Sequence, residues 1–517
     1  MDRSSLRTDN THSAITPQPL NGKCITTDIP QIKLNGMPLK LAVCARQFMR
    51  MKRANQSIEQ TNTGKDLTLC EVKKFTPVGK NSILERGYGD IAAGIKVLEI
   101  LQNEHPEAEI SFIVEHFAET ENELRRVVEM STLPHVKTII LDGDGNNSNH
   151  QQLRDKAIEV LNDATVIIHA PAGLIEPMMT SSGEYKQKTL GISEYDLRTG
   201  GYSKMGDHGI IEIEMGFEEK RLYLTPRQRA TTGFKNKTLC KLFPATHFTS
   251  KMPEDSDFQK KVLYFSYGHV LAAMNSMLRN TVINESTFER DVVFVASLTM
   301  RIDDIEKLFG DIYSALHLTQ PIKLVYEENG SKTEQIIPKD ADEQVVKTFN
   351  IVTMGHIDKE DFALLEQYSS FNYTSGDIST TNRLGLGKIP IVDCKKKVRN
   401  FNKMHEKLIE FVYEPVRPYE EAGMDVSMVP KEIWDAVVEK DWLIAHWEHV
   451  CTRASEHQNE LSTDELKILS SSLMALSSPA WLKFQDEFTK WLKSSHSADR
   501  FILRHTRKII KKSFPHY

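Results

Sequence analysis

The sequence predicts an α/β protein of two similar domains that face one another, followed by a helical C-terminal extension. Three observations carry that expectation. Two separate series of β-branched runs alternate with helix-period stretches, an irregular segment lies between them, and the last part is helical and holds all five tryptophans. Strands alternating with helices of about 10 to 15 residues build βαβ units on a parallel sheet. A chain of 517 residues accommodates two or three domains, at roughly 100 to 200 residues each.

Composition bounds the function. Hydrophobic residues are 40% and charged residues 26%, ordinary globular usage with ample material for a core. The 65 Lys and Arg against 71 Asp and Glu give a net charge of −6, so the chain lacks the basic excess of a dedicated nucleic-acid binder. Six cysteines are scattered without a C-x-x-C pair, which suits a reducing interior better than a disulfide framework. The N-terminal MDRSSLRTDNTHS has no apolar run behind its charges, and no window is long and apolar enough for a membrane span. A cytoplasmic location is expected, or export by a non-Sec route as for a secreted bacterial effector.

Along the chain, residues 1–79 read as a partly disordered N-terminal extension, since 1–35 mix Ser, Thr, Asn, Asp and Pro without an apolar period. The first series occupies 80–258. It runs from a loop at Arg86 to Asp90 through the helix IAAGIKVLEILQNEH, the strand EISFIVEH, the helix ETENELRRVVEM, the strand VKTIILDGDG, the helix QQLRDKAIEVLND and the strand ATVIIHAPAG. Within it, 176–258 shows one short strand, GIIEIEMGF, and otherwise reads as loops on the acceptor side. The second series, 259–425, opens on KVLYFSYGH and continues through DVVFVAS, PIKLVYEE, TFNIVTMG, the helix KEDFALLEQY, FNYT, the helix-initiating SGDISTTNRLGLG and KIPIVDC. Residues 426–517 form the helical, Trp-rich C-terminal region.

Several constellations could carry chemistry. Arg86-Gly87-Tyr88-Gly89-Asp90-Ile91 opens a helix at the carboxyl edge of the first predicted sheet, where open α/β sheets bind ligands. An acid at such a turn either caps the helix or accepts a substrate proton, and the residues alone leave both readings open. Tyr373 to Asn382 gathers hydroxyls and a glycine at a helix start, the donors and partial positive charge that a diphosphate needs. Asp142-Gly143-Asp144 is a D-x-D at a strand exit, able to hold a divalent metal, but Asp-Gly pairs are common turn formers and the turn is the favoured reading. His446-Trp447-Glu448-His449 lacks the H-E-x-x-H zinc spacing and reads as packing or surface. The basic amphipathic stretch 499–512 suits a closing helix, with contact to an anionic membrane surface as the weaker alternative. No G-x-S-x-G elbow, Walker loop or kinase signature set is present.

Taken together, the two loops resemble the GT-B glycosyltransferases, which pair two facing Rossmann-like domains. The pattern is similar to that of the bacterial protein-arginine rhamnosyltransferases. Their F-G-D-I-G loop resembles Tyr88-Gly89-Asp90-Ile91-Ala92, and their aromatic strand ending in a nucleotide-contacting tyrosine resembles Tyr264-Phe265-Ser266-Tyr267. Their D-[YF]-D-x-L-L helix resembles Asp361-Phe362-Ala363-Leu364-Leu365. Their N-F-V-R-G-E-D-S segment resembles Asn372-Tyr373-Thr374-Ser375-Gly376-Asp377-Ile378-Ser379. Ser375 stands where that family has arginine, Asp377 where it has glutamate and Ile378 where it has aspartate, so its dTDP-rhamnose donor and arginine acceptor do not carry over.

The resemblance implies transfer of a sugar from a nucleotide-sugar donor to an acceptor, a protein among the candidates, by an inverting route without a metal or other cofactor. Asp90 is then the catalytic residue. Gly89, Tyr267, Phe362, Ser375, Gly376, Asp377, Ser379 and Thr380 are the donor site. Two other readings compete: a non-catalytic protein of the same fold acting through its helical C-terminal region, and a related sugar-nucleotide epimerase.

Overall fold

A computed structural model describes residues 33–34, 37–46, 48–52, 83–87, 89–118, 121–133, 135–143, 149–170, 175, 178, 185–193, 211–217, 220–224, 233–244, 261–267, 271–286, 290–328, 331–337, 345, 347–354, 357–374, 377–395, 398–455 and 461–513. The first half contains β1 (Lys33–Leu34), β2 (Met37–Pro38), β3 (Lys40–Arg46), β4 (Phe48–Lys52), β5 (Ile83–Gly87), α1 (Gly89–Glu104), β6 (Glu109–His116), α2 (Glu121–Ser131), β7 (Val136–Asp142), α3 (His150–Asp163), β8 (Val166–His169), β9 (Thr189–Ser193), β10 (Ile211–Glu214) and α4 (Lys237–Leu242). The second half contains β11 (Lys261–Tyr267), α5 (Leu271–Glu285), β12 (Asp291–Ala296), α6 (Ile302–Ala315), β13 (Ile322–Glu328), β14 (Ser331–Ile337), β15 (Lys347–Thr353), α7 (Lys359–Tyr368), β16 (Asn372–Thr374), α8 (Asp377–Gly385), β17 (Ile391–Val392), α9 (Val398–Tyr413), α10 (Arg417–Glu421), α11 (Lys431–Ser455), α12 (Thr463–Leu476), α13 (Pro479–His496) and α14 (Asp499–Ser513).

Six parallel strands in the order β10-β9-β8-β3-β6-β7 make the first sheet. Counted by appearance and read from β7, this is the doubly wound order 3-2-1-4-5-6, which reverses direction between β3 and β8. Its central strand, Lys40–Arg46, lies in the stretch that the sequence groups with the 1–79 extension. KLAVCAR buries Leu41 to Ala45 on both faces, as a central parallel strand must. The sequence hides this role because the helix that completes the unit, α1, does not begin until Gly89.

The second sheet runs β14-β13-β15-β12-β11-β16-β17. Without the antiparallel hairpin of β13 and β14 at its edge, it reads 3-2-1-4-5, with the reversal between β11 and β16. Residues 233–243, counted with the first domain in the sequence, pack here instead, with Phe234, Leu239 and Phe243 against Leu263, Phe265, Leu364 and Leu365. The two doubly wound sheets and the helical C-terminal region match the architecture expected from the sequence.

Two chain crossings link the halves and pair with each other. Leu222 N–H donates to the His496 carbonyl (2.7 Å), and Ala498 N–H donates to the Leu222 carbonyl (2.9 Å). Beside them Gly385 closes α8 tightly on this linker, since a Cβ there would stand 2.6 Å from the Leu224 carbonyl oxygen. The Trp-rich helices share the second sheet's core. Trp447 is fully buried, stacks on Phe401 and donates its indole N–H to the Pro390 carbonyl at 3.0 Å. Helix α14 instead crosses back to the first sheet, burying Ile502, Ile509 and Ile510 in its core. The apolar face that a membrane would need is thus occupied by protein. No helix among the described residues is long and apolar enough to cross a membrane.

Candidate functional site

In doubly wound sheets, ligands bind at the carboxyl ends of the strands that flank the reversal, because loops to opposite faces diverge there and leave a crevice. The second reversal places Tyr267, the last residue of β11, directly opposite Thr374, the last residue of β16. Tyr267 and Phe362 meet edge to face, with ring centroids 5.0 Å apart, and Phe265 packs edge-on to Phe362 at 5.4 Å. Both Tyr267 and Phe362 are half-buried, leaving ring surface beside the crevice. Helix α8 begins three residues after Thr374, at Asp377, so its free N–H groups and positive end belong to the same edge. Ser379 is half-buried. Thr380 is buried with its hydroxyl 3.2 Å from that of Thr374, an arrangement that fastens the turn between β16 and α8. Ser375 and Gly376 lie outside the described residues.

Asp361 does other work than its neighbour Phe362. Its carboxylate accepts the backbone N–H groups of Lys235 (2.6 Å) and Asn236 (2.8 Å), and burial pushes its pKa up. Asn236 in turn caps α4, and Asp358 caps α7. These contacts tie 233–243 across the end of the second sheet.

A buried arginine and a half-buried lysine that the sequence reading overlooked hold α8 in place. Arg383 donates to the carbonyls of Glu366, Ser369 and Ser370, and Lys388 to those of Gln367 (2.7 Å) and Ser369 (3.1 Å). The negative end of α7 offers them those carbonyls. Desolvation lowers the pKa of both. Their signal in the sequence is faint, a single arginine and lysine in a run of leucine and glycine.

At the first reversal, Gly89 and Asp90 open α1, and Asp90 is 3% exposed. Helix α1 packs on β3 and β6 and also against α8, so the helices carrying the two sequence-predicted loops meet. Arg46 at the end of β3 pairs with buried Glu115 at 2.8 Å and lies over the Phe117 ring. His169 at the end of β8 is committed to the backbone. Its Nε2 accepts the Ile175 N–H (3.1 Å), which leaves the proton on Nδ1 to donate to the Ala170 carbonyl (2.7 Å). Burial lowers its pKa to about 4. It is therefore an anchor for the loop after β8 and not a base.

His496, fully buried at the crossing, is likewise pushed down to about 4 by burial. An unfolded imidazole titrates near 6.5. Between about pH 4 and 6.5 the unfolded chain therefore binds more protons than the folded one, so stability is lost as the pH drops from about 6.5 toward 4, by up to about 1.4 kcal/mol per unit for each histidine. Urea unfolding at pH 5 is expected at a lower midpoint than at pH 7, with His169→Gln flattening the dependence. An unchanged midpoint would contradict it.

His446 and Glu448 have side-chain partners of their own. His446 Nδ1 lies 2.9 Å from the Ser472 hydroxyl, and Glu448 is 3.5 Å from His405. Asp142 ends β7, and Asp144 lies outside the described residues. Among the described residues no group of three or more His, Cys, Asp or Glu is placed to hold a metal.

No family model and no curated protein matches the chain. Among solved structures it is similar to a UDP-GlcNAc 2-epimerase from Neisseria meningitidis bound to UDP-GlcNAc, at 12% identity and a TM-score of 0.30 over 74% of this chain and 97% of that one. It is similar to the glycotransferase of kitacinnamycin at 10% identity and a TM-score of 0.35, over 91% and 99% of the two chains. Anabaena HepE in complex with UDP and glucose matches at 8% identity and a TM-score of 0.32, over 92% and 99%. The architecture described above rests on the strand orders of the chain itself.

Proposed function

We propose that the protein is a glycosyltransferase that moves a sugar from a nucleotide-sugar donor to an acceptor, with inversion and without a metal. The observation that supports the reading is that α1, which carries Asp90 in its first turn, packs against α8, which begins at Asp377 beside the second reversal. Tyr267 and Phe362 pack against the base or ribose, and the N-terminus of α8 receives the diphosphate. Asp90 takes the proton from the acceptor nucleophile as it attacks the anomeric carbon. The bond from that carbon to the diphosphate oxygen breaks, and the negative charge released is met by the N–H donors of α8. Such preorganised donors do the work that a cation does elsewhere.

Product analysis with a sugar-labelled donor tests the reaction class. Label transferred to an acceptor, undiminished in excess chelator, is the expected result. Label recovered only as an epimerised nucleotide sugar, or activity lost on chelation, would overturn the transferase or the metal-independent part respectively.

A further inference from the structure

We infer that the outward face of α14 is an electrostatic docking surface for an anionic lipid membrane, to which the protein adsorbs without inserting. The helix carries six Arg and Lys against one Asp, a charge of +5, so the other 502 residues of the chain together carry −11. Arg500, Arg504, Lys508, Lys511 and Lys512 are all exposed. At about 100° per residue they fall within roughly 120° of the helix circumference, along about 18 Å of its length. Ile502, Ile509 and Ile510 take the opposite side and are buried in the core of the first sheet.

Helix stability does not account for this stripe. Like charges three or four residues apart repel one another, and Arg500, in the first turn, opposes the helix dipole. Elsewhere the chain pairs the cations of its surface helices with acids one turn away, as in Lys403–Glu406 (2.8 Å) and Lys407–Glu410 (2.5 Å) on α9 and Lys490–Asp486 (2.7 Å) on α13. On α14, among the described residues, Arg507 alone meets a carboxylate, that of Glu104 on α1. The other five make a row of positive charge that is left for an external anion.

Three features select a membrane among polyanions. The stripe runs along the exposed ridge of a single helix, which suits a flat partner, and mobile headgroups gather beneath any spacing of cations. Phe501, the one Phe, Tyr or Trp of the helix, is covered by the guanidinium groups of Arg221 and Arg504, 4.6 and 5.7 Å from its ring centroid, and offers no platform on which bases could stack. Finally, the acidic balance of the rest of the chain is repelled by the same surface, which turns α14 toward it. Because the isoleucines are committed to the core, charge alone provides the attraction.

Co-sedimentation of the full chain with vesicles tests the assignment. Phosphatidylcholine vesicles with one-third phosphatidylserine should bind the protein at about 0.1 M salt and release it at about 1 M, where the Debye length shrinks to about 3 Å. Phosphatidylcholine alone should not bind it. Each cation near such a surface contributes about fivefold in affinity, so Lys511→Gln with Lys512→Gln, at the end of the helix, should weaken binding by about 20-fold. Replacing all five stripe cations by Gln should abolish it. Lys467→Gln, Lys483→Gln and Lys490→Gln, exposed on α12 and α13, should leave it unchanged, and the melting temperature should hold in every variant. Equal binding to phosphatidylcholine alone, binding that survives high salt or the Lys511 and Lys512 substitutions, tighter binding of duplex DNA or polyglutamate than of the anionic vesicles, or no binding to any vesicle would overturn the assignment.

Discussion

Asp90→Asn lowers turnover by about 10² to 10⁴, the usual contribution of a positioned general base, while nucleotide affinity stays within about twofold. The substitution is nearly isosteric and keeps the side-chain shape within the first turn of α1, so it removes the proton acceptor with little change to the helix start. Were Asp90 only a negative charge in the first turn of α1, its loss would cost on the order of 1 kcal/mol of stability and leave turnover nearly intact. Steady-state rates, beside nucleotide titration of the same variant, separate the two roles. Loss of nucleotide binding in Asp90→Asn contradicts the role proposed for it, because Tyr267, Phe362 and the start of α8, the proposed seat of the nucleotide, belong to the second sheet.

Trp447→Ala destabilises the protein by about 3 to 5 kcal/mol, the range for removing a large aromatic from a core. It leaves a cavity against Phe401 and an unpaired Pro390 carbonyl, one residue before β17. Because β17 pairs with β16, the damage should reach the α8 turn and weaken nucleotide binding together with stability. Urea unfolding should show the C-terminal helices and the second domain lost in one transition. A separate early transition for the helices, with nucleotide binding intact, would favour the reading in which they form an independent interaction module.

Much of this fold was legible because strands such as EISFIVEH and DVVFVAS are continuous apolar runs between helices of strong period. What escaped was long-range. KLAVCAR looks isolated in the chain, yet the sheet closes on it from both sides. Residues 233–243 precede β11 and were assigned by position, whereas two hydrogen bonds to Asp361 decide where they belong. The candidate site was legible in its loops, since glycine, hydroxyls and an acid at helix starts are local signals. Arg383 and Lys388 were not, because their partners are backbone carbonyls that carry no residue identity. The pairing of Thr380 with Thr374 was hidden for another reason, as hydroxyls in a turn read equally as ligand donors or as fasteners.

The β11–β16 crevice is the proposed seat of a nucleoside diphosphate. A thermal-shift panel of UDP, GDP, dTDP, CDP and CMP, each alone and with its common sugars attached, tests it most directly. A ligand at 100 times its dissociation constant stabilises the fold by about 2.7 kcal/mol, so one nucleotide should raise the melting temperature clearly, and Tyr267→Ala should abolish that shift without unfolding the protein. No shift with any nucleotide, in a sample shown to be folded, would contradict the claim.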